Sequence, residues 1–258
     1  MELKNSTILL TGGTSGIGLE LVKQLLAQGA TVLVTGRDLD ALQETKRRFP
    51  AVHPFQSDVS SPAAIEQLYQ EVTRQFPSLN ILINNAGQMR LLDLQDRSLA
   101  LADLTREIAT NLSGTIQMVH QFLPHLLQQP AAAIVNVSSA IAFMAYSSAP
   151  IYSASKAGVR AYTQALRLQL EDTRVRVFEL IPPGVKTNLQ KDWAVQPNPS
   201  MLMEADKLVA VALNGLLNDK SELRPPLVGV LKLASRLMPH LLLQFGHREF
   251  KKIKASAN

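Results

Sequence analysis

Thr7-Ile8-Leu9-Leu10-Thr11-Gly12-Gly13-Thr14-Ser15-Gly16-Ile17-Gly18-Leu19-Glu20-Leu21-Val22-Lys23-Gln24-Leu25-Leu26 decides the fold. It opens with an apolar run of strand length, stops at a glycine turn, and resumes with apolar residues at helical spacing. Strand, turn and helix in that order predict the first unit of an α/β sheet. A turn built from Gly12, Thr14, Ser15, Gly16, Ile17 and Gly18 lets backbone approach a pyrophosphate closely, while the following helix offers free N–H groups at its positive end. The plainer reading is that the glycines only join strand to helix; their place at the first strand–helix junction favours a cofactor.

The same alternation continues outward. Thr31-Val32-Leu33-Val34 repeats the strand signal and 39–49 the helix, with Asp38 as its N-cap. Further strands are expected at 52–56, 81–83, 133–137 and 175–180, separated by helices around 63–76, 104–127 and 152–172. Continuous apolar strands crossed over by helices imply a parallel sheet covered on both faces. The expected architecture is therefore one α/β domain over 1–226, a Rossmann-like doubly wound parallel sheet of about seven strands. Such sheets bind ligands beyond the carboxyl ends of their strands. There the chain places the glycine turn, Asp58-Val59, Asn84-Asn85-Ala86-Gly87, Ser138-Ser139 and Pro182-Pro183-Gly184 in turn. A loop is expected over 186–200, with Trp193, Pro197, Asn198 and Pro199, and a mobile lid over substrate is one reading of it.

Composition narrows the chemistry. With 258 residues, 46% hydrophobic and 18% charged, the chain has room for a full core and no low-complexity tract. The lack of cysteine excludes disulfides, thiolate metal sites and cysteine nucleophiles, and the five histidines are scattered, so no metal is expected. The opening Met1-Glu2-Leu3-Lys4-Asn5 lacks the pattern of a secretory signal, and a cytoplasmic location is expected. Net charge is +5, and 227–258 alone holds six Lys or Arg against Glu249. The balanced body argues against a nucleic-acid surface.

The second strand ends in Val34-Thr35-Gly36-Arg37. An NAD site usually has an acid here for the adenosine ribose hydroxyls. Gly36 stands in that place, and Arg37 offers a planar guanidinium suited to a 2′-phosphate, so NADP(H) is favoured over NAD(H). Asp38 could instead be argued to serve the ribose, and Arg37 could be a solvated loop charge.

Tyr152 and Lys156 stand four residues apart and so share one helix face. A phenol has an ordinary pKa near ~10, and an adjacent ammonium is expected to lower it toward useful acid–base work. With Ser139 upstream, the pair has the makings of a hydride-transfer site.

Thr11-Gly-x-x-x-Gly16-x-Gly18, Asn84-Asn85-Ala86-Gly87, Asn111, Ser139, Tyr152-x-x-x-Lys156 and Pro183-Gly184-x-x-x-Thr187 together resemble the successive motifs of the compact, single-domain branch of the short-chain dehydrogenase/reductase family. The resemblance implies a carbonyl–alcohol oxidoreductase in which Tyr152 is general acid and base and Lys156 binds the nicotinamide ribose and lowers the Tyr152 pKa. It implies that Ser139 bonds the reacting oxygen and Asn111 anchors a water leading to Lys156. Asp58 and Val59 would meet the adenine, Asn85 and Ala86 the adenosine ribose, and Val185 and Thr187 the carboxamide and phosphates. Singly, Ser139, Asn111 and Thr187 could equally be a strand-end hydroxyl, a packing amide and a cap.

The segment Ala140-Ile141-Ala142-Phe143-Met144-Ala145-Tyr146, with Gln88-Met89, falls where that family builds its substrate pocket. Its apolar character points to a small lipophilic carbonyl or alcohol, unless Phe143 and Met144 belong to the core. The resemblance also implies a homodimer or homotetramer. A dinucleotide-binding sensor without turnover is the alternative, and a sugar-nucleotide epimerase lacks the chain length for its extra domain.

The C-terminal region departs from the family pattern. A last strand must come from 222–229 if anywhere, and 227–258 reads as a basic amphipathic helix and tail, interrupted by charges too often to span a membrane. Its apolar stripe could pack on the domain or on a partner subunit, or make peripheral contact with an anionic membrane.

Overall fold

Successive residues of β1 (Thr7–Thr11) point to opposite faces of the sheet, and both faces are buried. Ile8 and Leu10 join one core cluster with Leu21, Val22 and Leu25 of α1 (Gly16–Ala27) and with Leu208 and Leu213 of α7 (Ala205–Leu217). Leu9 joins a second with Ile65 and Leu68 of α3 (Pro62–Gln75), Phe122 of α5 (Gly114–Leu127) and Leu166 of α6 (Pro150–Gln169). Each fully buried Leu or Ile contributes about 1.5–3 kcal/mol of transfer free energy, which makes a strand apolar on both sides stable only between two helical layers.

The computed structural model describes residues 2–187, 189 and 198–257. Around β1 it arranges β2 (Thr31–Gly36), β3 (His53–Gln56), β4 (Leu79–Asn84), β5 (Ala132–Val137), β6 (Val175–Leu180) and β7 (Glu222–Leu223) in the spatial order β3-β2-β1-β4-β5-β6-β7. Every pairing is parallel. The chain winds outward from β1 toward β3, then returns to start again at β4, leaving a crevice beyond the carboxyl ends of β1 and β4. The expected doubly wound α/β domain is the observed one. α2 (Leu39–Arg48) closes the far side of β2, and Asp38 caps it as expected, accepting from Ala41 N at 3.1 Å.

Four local expectations need correction. The helix expected over 104–127 is broken into a short turn α4 (Leu101–Leu104), a π-helical stretch Ile108–Ser113 and α5. A π turn inserts one residue into the helical repeat, which apolar periodicity does not reveal. The helix expected from 152 begins at Pro150, whose fixed φ suits a first turn. The last strand is only Glu222–Leu223, because Pro225 and Pro226 follow and α8 (Pro226–Leu237) starts there. The single tail helix is two, α8 and α9 (Pro239–Ala257), bent by 116° where Pro239 lacks an N–H to continue the ladder. Among the described residues no single helix is long and apolar enough to cross a membrane. Most of the expected lid, Trp193 included, lies outside the described residues; beside it Val185 bridges Met203 and Pro199–Met201 forms a 3-10 turn.

Candidate active site

The glycine turn is held in shape by the loop after β4. Thr11 Oγ1 accepts from the backbone N–H groups of Asn85 and Ala86, each at 3.0 Å, while Asn85 Nδ2 donates to the carbonyls of Thr11 and Gly12 at 3.0 and 2.9 Å. Gly12 has φ +66°, and a Cβ there would fall 2.8 Å from the Ala86 Cα. At Gly18 a Cβ would fall 2.0 Å from the Gly12 carbonyl oxygen. Only glycine permits this approach of turn, helix and loop. Gly16, at φ +52°, lies under Thr187, whose side chain would be 3.1 Å from an added Cβ.

These residues fit a dinucleotide pyrophosphate. Ser15 makes no side-chain cap to α1, and the first turn of α1 contains no acid, so its N–H groups meet no internal anion.

At the other end of the crevice, Tyr152 and Lys156 project from α6 toward the end of β5. Lys156 Nζ lies 5.7 Å from the centroid of the Tyr152 ring and donates to the Val137 carbonyl at 2.8 Å. Ser139, the first residue past β5 but one, hydrogen-bonds the Tyr152 phenol and receives Ile141 N at 3.3 Å. Tyr152, Lys156, Ser139 and Asn111 are all buried. Asn111 lies in the π-helical stretch, where its side chain accepts from Gln88 N at 2.9 Å and donates to Gln88 O and Ser155 Oγ, each at 3.0 Å. It thus clamps the loop after β4 to α6, and the protein already engages its amide on both sides.

The electrostatics correct one expectation. The Tyr152 phenol is pushed up to about 12, not lowered: burial dominates, the Ser139 hydrogen bond opposes it, and the Glu107 charge adds to it. Burial brings Lys156 down to about 8. Both groups are buried, so the charged form of each loses its hydration, and this outweighs their mutual attraction.

At the expected adenosine end, Arg37 is exposed beyond β2, with its carbonyl held by Gln56 Nε2 at 2.9 Å. The β2 end touches the glycine turn directly, through Gly12 N to Thr35 O at 2.9 Å. Asp58 is folded onto Ser60, accepting from its N and Oγ at 2.9 and 2.7 Å. Val59 is buried against Gly114, where a Cβ would meet the Val59 carbonyl at 2.5 Å.

This order of elements and side chains matches the short chain dehydrogenase family model over residues 6–198. The chain belongs to the short-chain dehydrogenase/reductase family. It is 38% identical over 92% of its length to the uncharacterized oxidoreductase DltE of Bacillus subtilis, covering 94% of that protein. The opening stretch and Gly12-Gly13 by themselves resemble the oxidoreductase of bacterial operons for D-alanylation of lipoteichoic acid, and the DltE match extends well beyond them. An uncharacterized oxidoreductase of Staphylococcus saprophyticus is 30% identical over 80% of the chain and 91% of its own length. Among solved structures, a short-chain dehydrogenase of Burkholderia cenocepacia in complex with NADP superposes with TM-score 0.80 at 26% identity, covering 94% of this chain and 99% of that one. One of Burkholderia phymatum with NAD, at TM-score 0.81 and 23% identity over 92% and 95%, shares the fold.

Two polar networks in this dehydrogenase have no motif behind them. Arg90, just past Gln88-Met89, donates to Asp103 at 2.6 Å and to the fully buried Glu107 at 3.3 Å. The sequence holds one signal for this network: Glu107 lies four residues before Asn111. The second begins beside Ser139. Ser138 Oγ donates to the buried Glu179 at 2.6 Å, Arg160 bridges Glu179 at 2.6 Å and Glu222 at 3.2 Å, and Arg224 and Lys232 complete the cage around Glu222. Arg160 follows Lys156 by one helical turn, which places it on the same face of α6. Its guanidinium lies 4.4 Å from the centroid of Phe143, which also packs on Val228 of α8. Phe143 therefore serves as a wall between the site and the tail as well as an apolar surface.

Proposed function

We propose that this dehydrogenase is an NADP(H)-dependent oxidoreductase interconverting a carbonyl and a secondary alcohol, with Tyr152 as general acid and base. The observation that carries the reading is the buried group of three: the Tyr152 phenol bonded to Ser139, with Lys156 one turn along the same helix face. When bound, a nicotinamide supplies or accepts the hydride. Tyr152 holds the proton for the substrate oxygen, and its high pKa keeps it protonated, ready to donate in the reducing direction. Ser139 Oγ, already shared with the phenol, is aimed to steady negative charge gathering on that oxygen. Lys156, held to Val137, would supply the positive field and hydrogen bonds to a ribose.

Gly12, Thr14, Ser15, Gly16, Ile17 and Gly18 would cradle the pyrophosphate, with Thr187 facing it across Gly16. Asp58, Val59, Asn85 and Ala86 would line the adenosine half and Val185 the carboxamide. NADP(H) is favoured because Asp38 is committed to its helix cap, while Arg37 stands exposed beside the turn. The Burkholderia cenocepacia relative holding NADP points the same way. A small lipophilic substrate is supported by the apolar segment 140–146 and by Arg90 being engaged with Asp103 and Glu107. A homodimer or homotetramer working in the cytoplasm completes the proposal.

Following the absorbance of NADPH and of NADH against a panel of ketones, aldehydes and secondary alcohols tests reaction, cofactor and substrate together. Turnover confined to small charged acids, or a preference for NADH, would overturn the corresponding part.

A further inference from the structure

α8 is fixed on one side and open on the other. Val228, 1% exposed, packs with Leu231 on Ala140, Ile181 and Phe143, and Lys232 is paired to Glu222. The helix therefore cannot roll to hide its outer face. That face shows Leu227, Val230, Leu233 and Leu237 at three- and four-residue spacing, each at least 59% exposed. Beyond the bend, Leu241 and Phe245 of α9 are exposed as well, at 63% and 51%. α9 is itself seated on the body: His247 Nδ1 meets Ser147 Oγ at 3.1 Å, and Gly246 lies against the Ala145 carbonyl. An apolar stripe of this length on a helix is ordinarily covered, and a contiguous exposed patch marks a docking surface.

Charge selects the occupant. Arg236, Arg248 and Lys251 are exposed around the stripe, and 227–258 contains six Lys or Arg against one Glu. A second copy presenting the same face about a twofold axis would set these cations against themselves. An anionic lipid surface attracts each of them while its acyl boundary receives the leucines. Neither helix is by itself long and apolar enough to cross a bilayer, and a bend of 116° separates them. We propose that the outer face of α8 and the first turns of α9 dock this protein on anionic lipid bilayers. Docking uses none of the residues assigned to turnover, so its test reads binding alone.

The full-length protein is sedimented with vesicles of phosphatidylglycerol and phosphatidylcholine, and with phosphatidylcholine vesicles as control. The expected result is co-sedimentation with the anionic vesicles only, weakened by salt, and reduced about fivefold or more by Arg236→Glu. Leu233→Ser with Leu237→Ser should abolish it while leaving the melting temperature unchanged, since both side chains are exposed. Failure to sediment with anionic vesicles, or equal sedimentation of the double variant, would overturn the proposal. So would a double variant that keeps vesicle binding but falls in oligomeric mass by sedimentation velocity, for the face would then belong to a second copy.

Discussion

The Lys156 ammonium stands 5.7 Å from the centre of the Tyr152 ring, and both groups are buried with Ser139 on the phenol. Removing the phenolic oxygen alone, by Tyr152→Phe, should leave the ring packing and the glycine cradle untouched. Turnover should fall by roughly 10²–10⁴, the usual worth of a positioned acid–base group. NADPH binding, read by fluorescence, should persist; undiminished turnover would remove Tyr152 from the chemistry.

Burying Lys156 links stability to pH. Its folded pKa is about 8 against an ordinary 10.5, so between those values the unfolded chain binds a proton that the folded protein has released. Stability contributed by this site therefore rises as pH rises from about 8 to 10.5. Tyr152 acts in the opposite sense: its value of about 12 against 10.0 means that stability is lost as pH climbs from 10 to 12. Denaturant titrations should show the rise in the wild type, up to about 3 kcal/mol, and a flat profile over that window in Lys156→Met. Parallel profiles for the two proteins would show that Lys156 keeps its ordinary pKa.

Arg37 and Asp38 are adjacent but should answer differently. Arg37→Ala should raise the KM for NADPH about tenfold or more while leaving that for NADH nearly unchanged, as a charged hydrogen bond to phosphate is lost. Asp38→Ala removes a cap to Ala41 N, costing about 1 kcal/mol of stability with the cofactor ratio intact. Steady-state kinetics with both cofactors and thermal melts separate the two roles. A changed cofactor ratio in Asp38→Ala would return the acid to the ribose.

Glu222 should matter most at neutral pH. Burial pushes its carboxyl up, but hydrogen bonds from Lys232, Arg224 and Arg160 outweigh this and hold it at about 2. A depressed carboxyl stabilises the fold above its ordinary 4.5, and this contribution fades as pH falls toward about 2. Glu222→Gln should cost about 1 kcal/mol at pH ~7, allowing for solvent screening, and the difference from wild type should close on acidification. A constant difference across pH would point to shape rather than charge.

Much of the fold was legible because its signals are local. The apolar run before Gly12 and the Asp38 cap each act within a few residues, and the structure uses them as read. β7 was legible in place but not in extent: it falls within 222–229 as expected, and its two residues form a strand only because β6 lies beside them. The π turn at Asn111 likewise depends on Gln88 and Ser155, 23 and 44 residues away. The Tyr152–Lys156 spacing gave the right neighbours but the wrong direction of pKa, since spacing carries no measure of burial. Arg160 carried no motif at all; its partners lie 19 and 62 residues further along the chain.

That arginine also makes the two ends of the molecule inseparable. Because Arg160 is divided between Glu179 inside the sheet and Glu222 at its edge, with Phe143 against its plane, the C-terminal helices are no interchangeable appendage. A chimera carrying another protein's tail would have to bring a cation at 232 for Glu222 and an apolar residue at 228 for Phe143 with it. Without them Glu222 would lose one of its three cations, and the wall beside Ser139 would be rebuilt along with the tail.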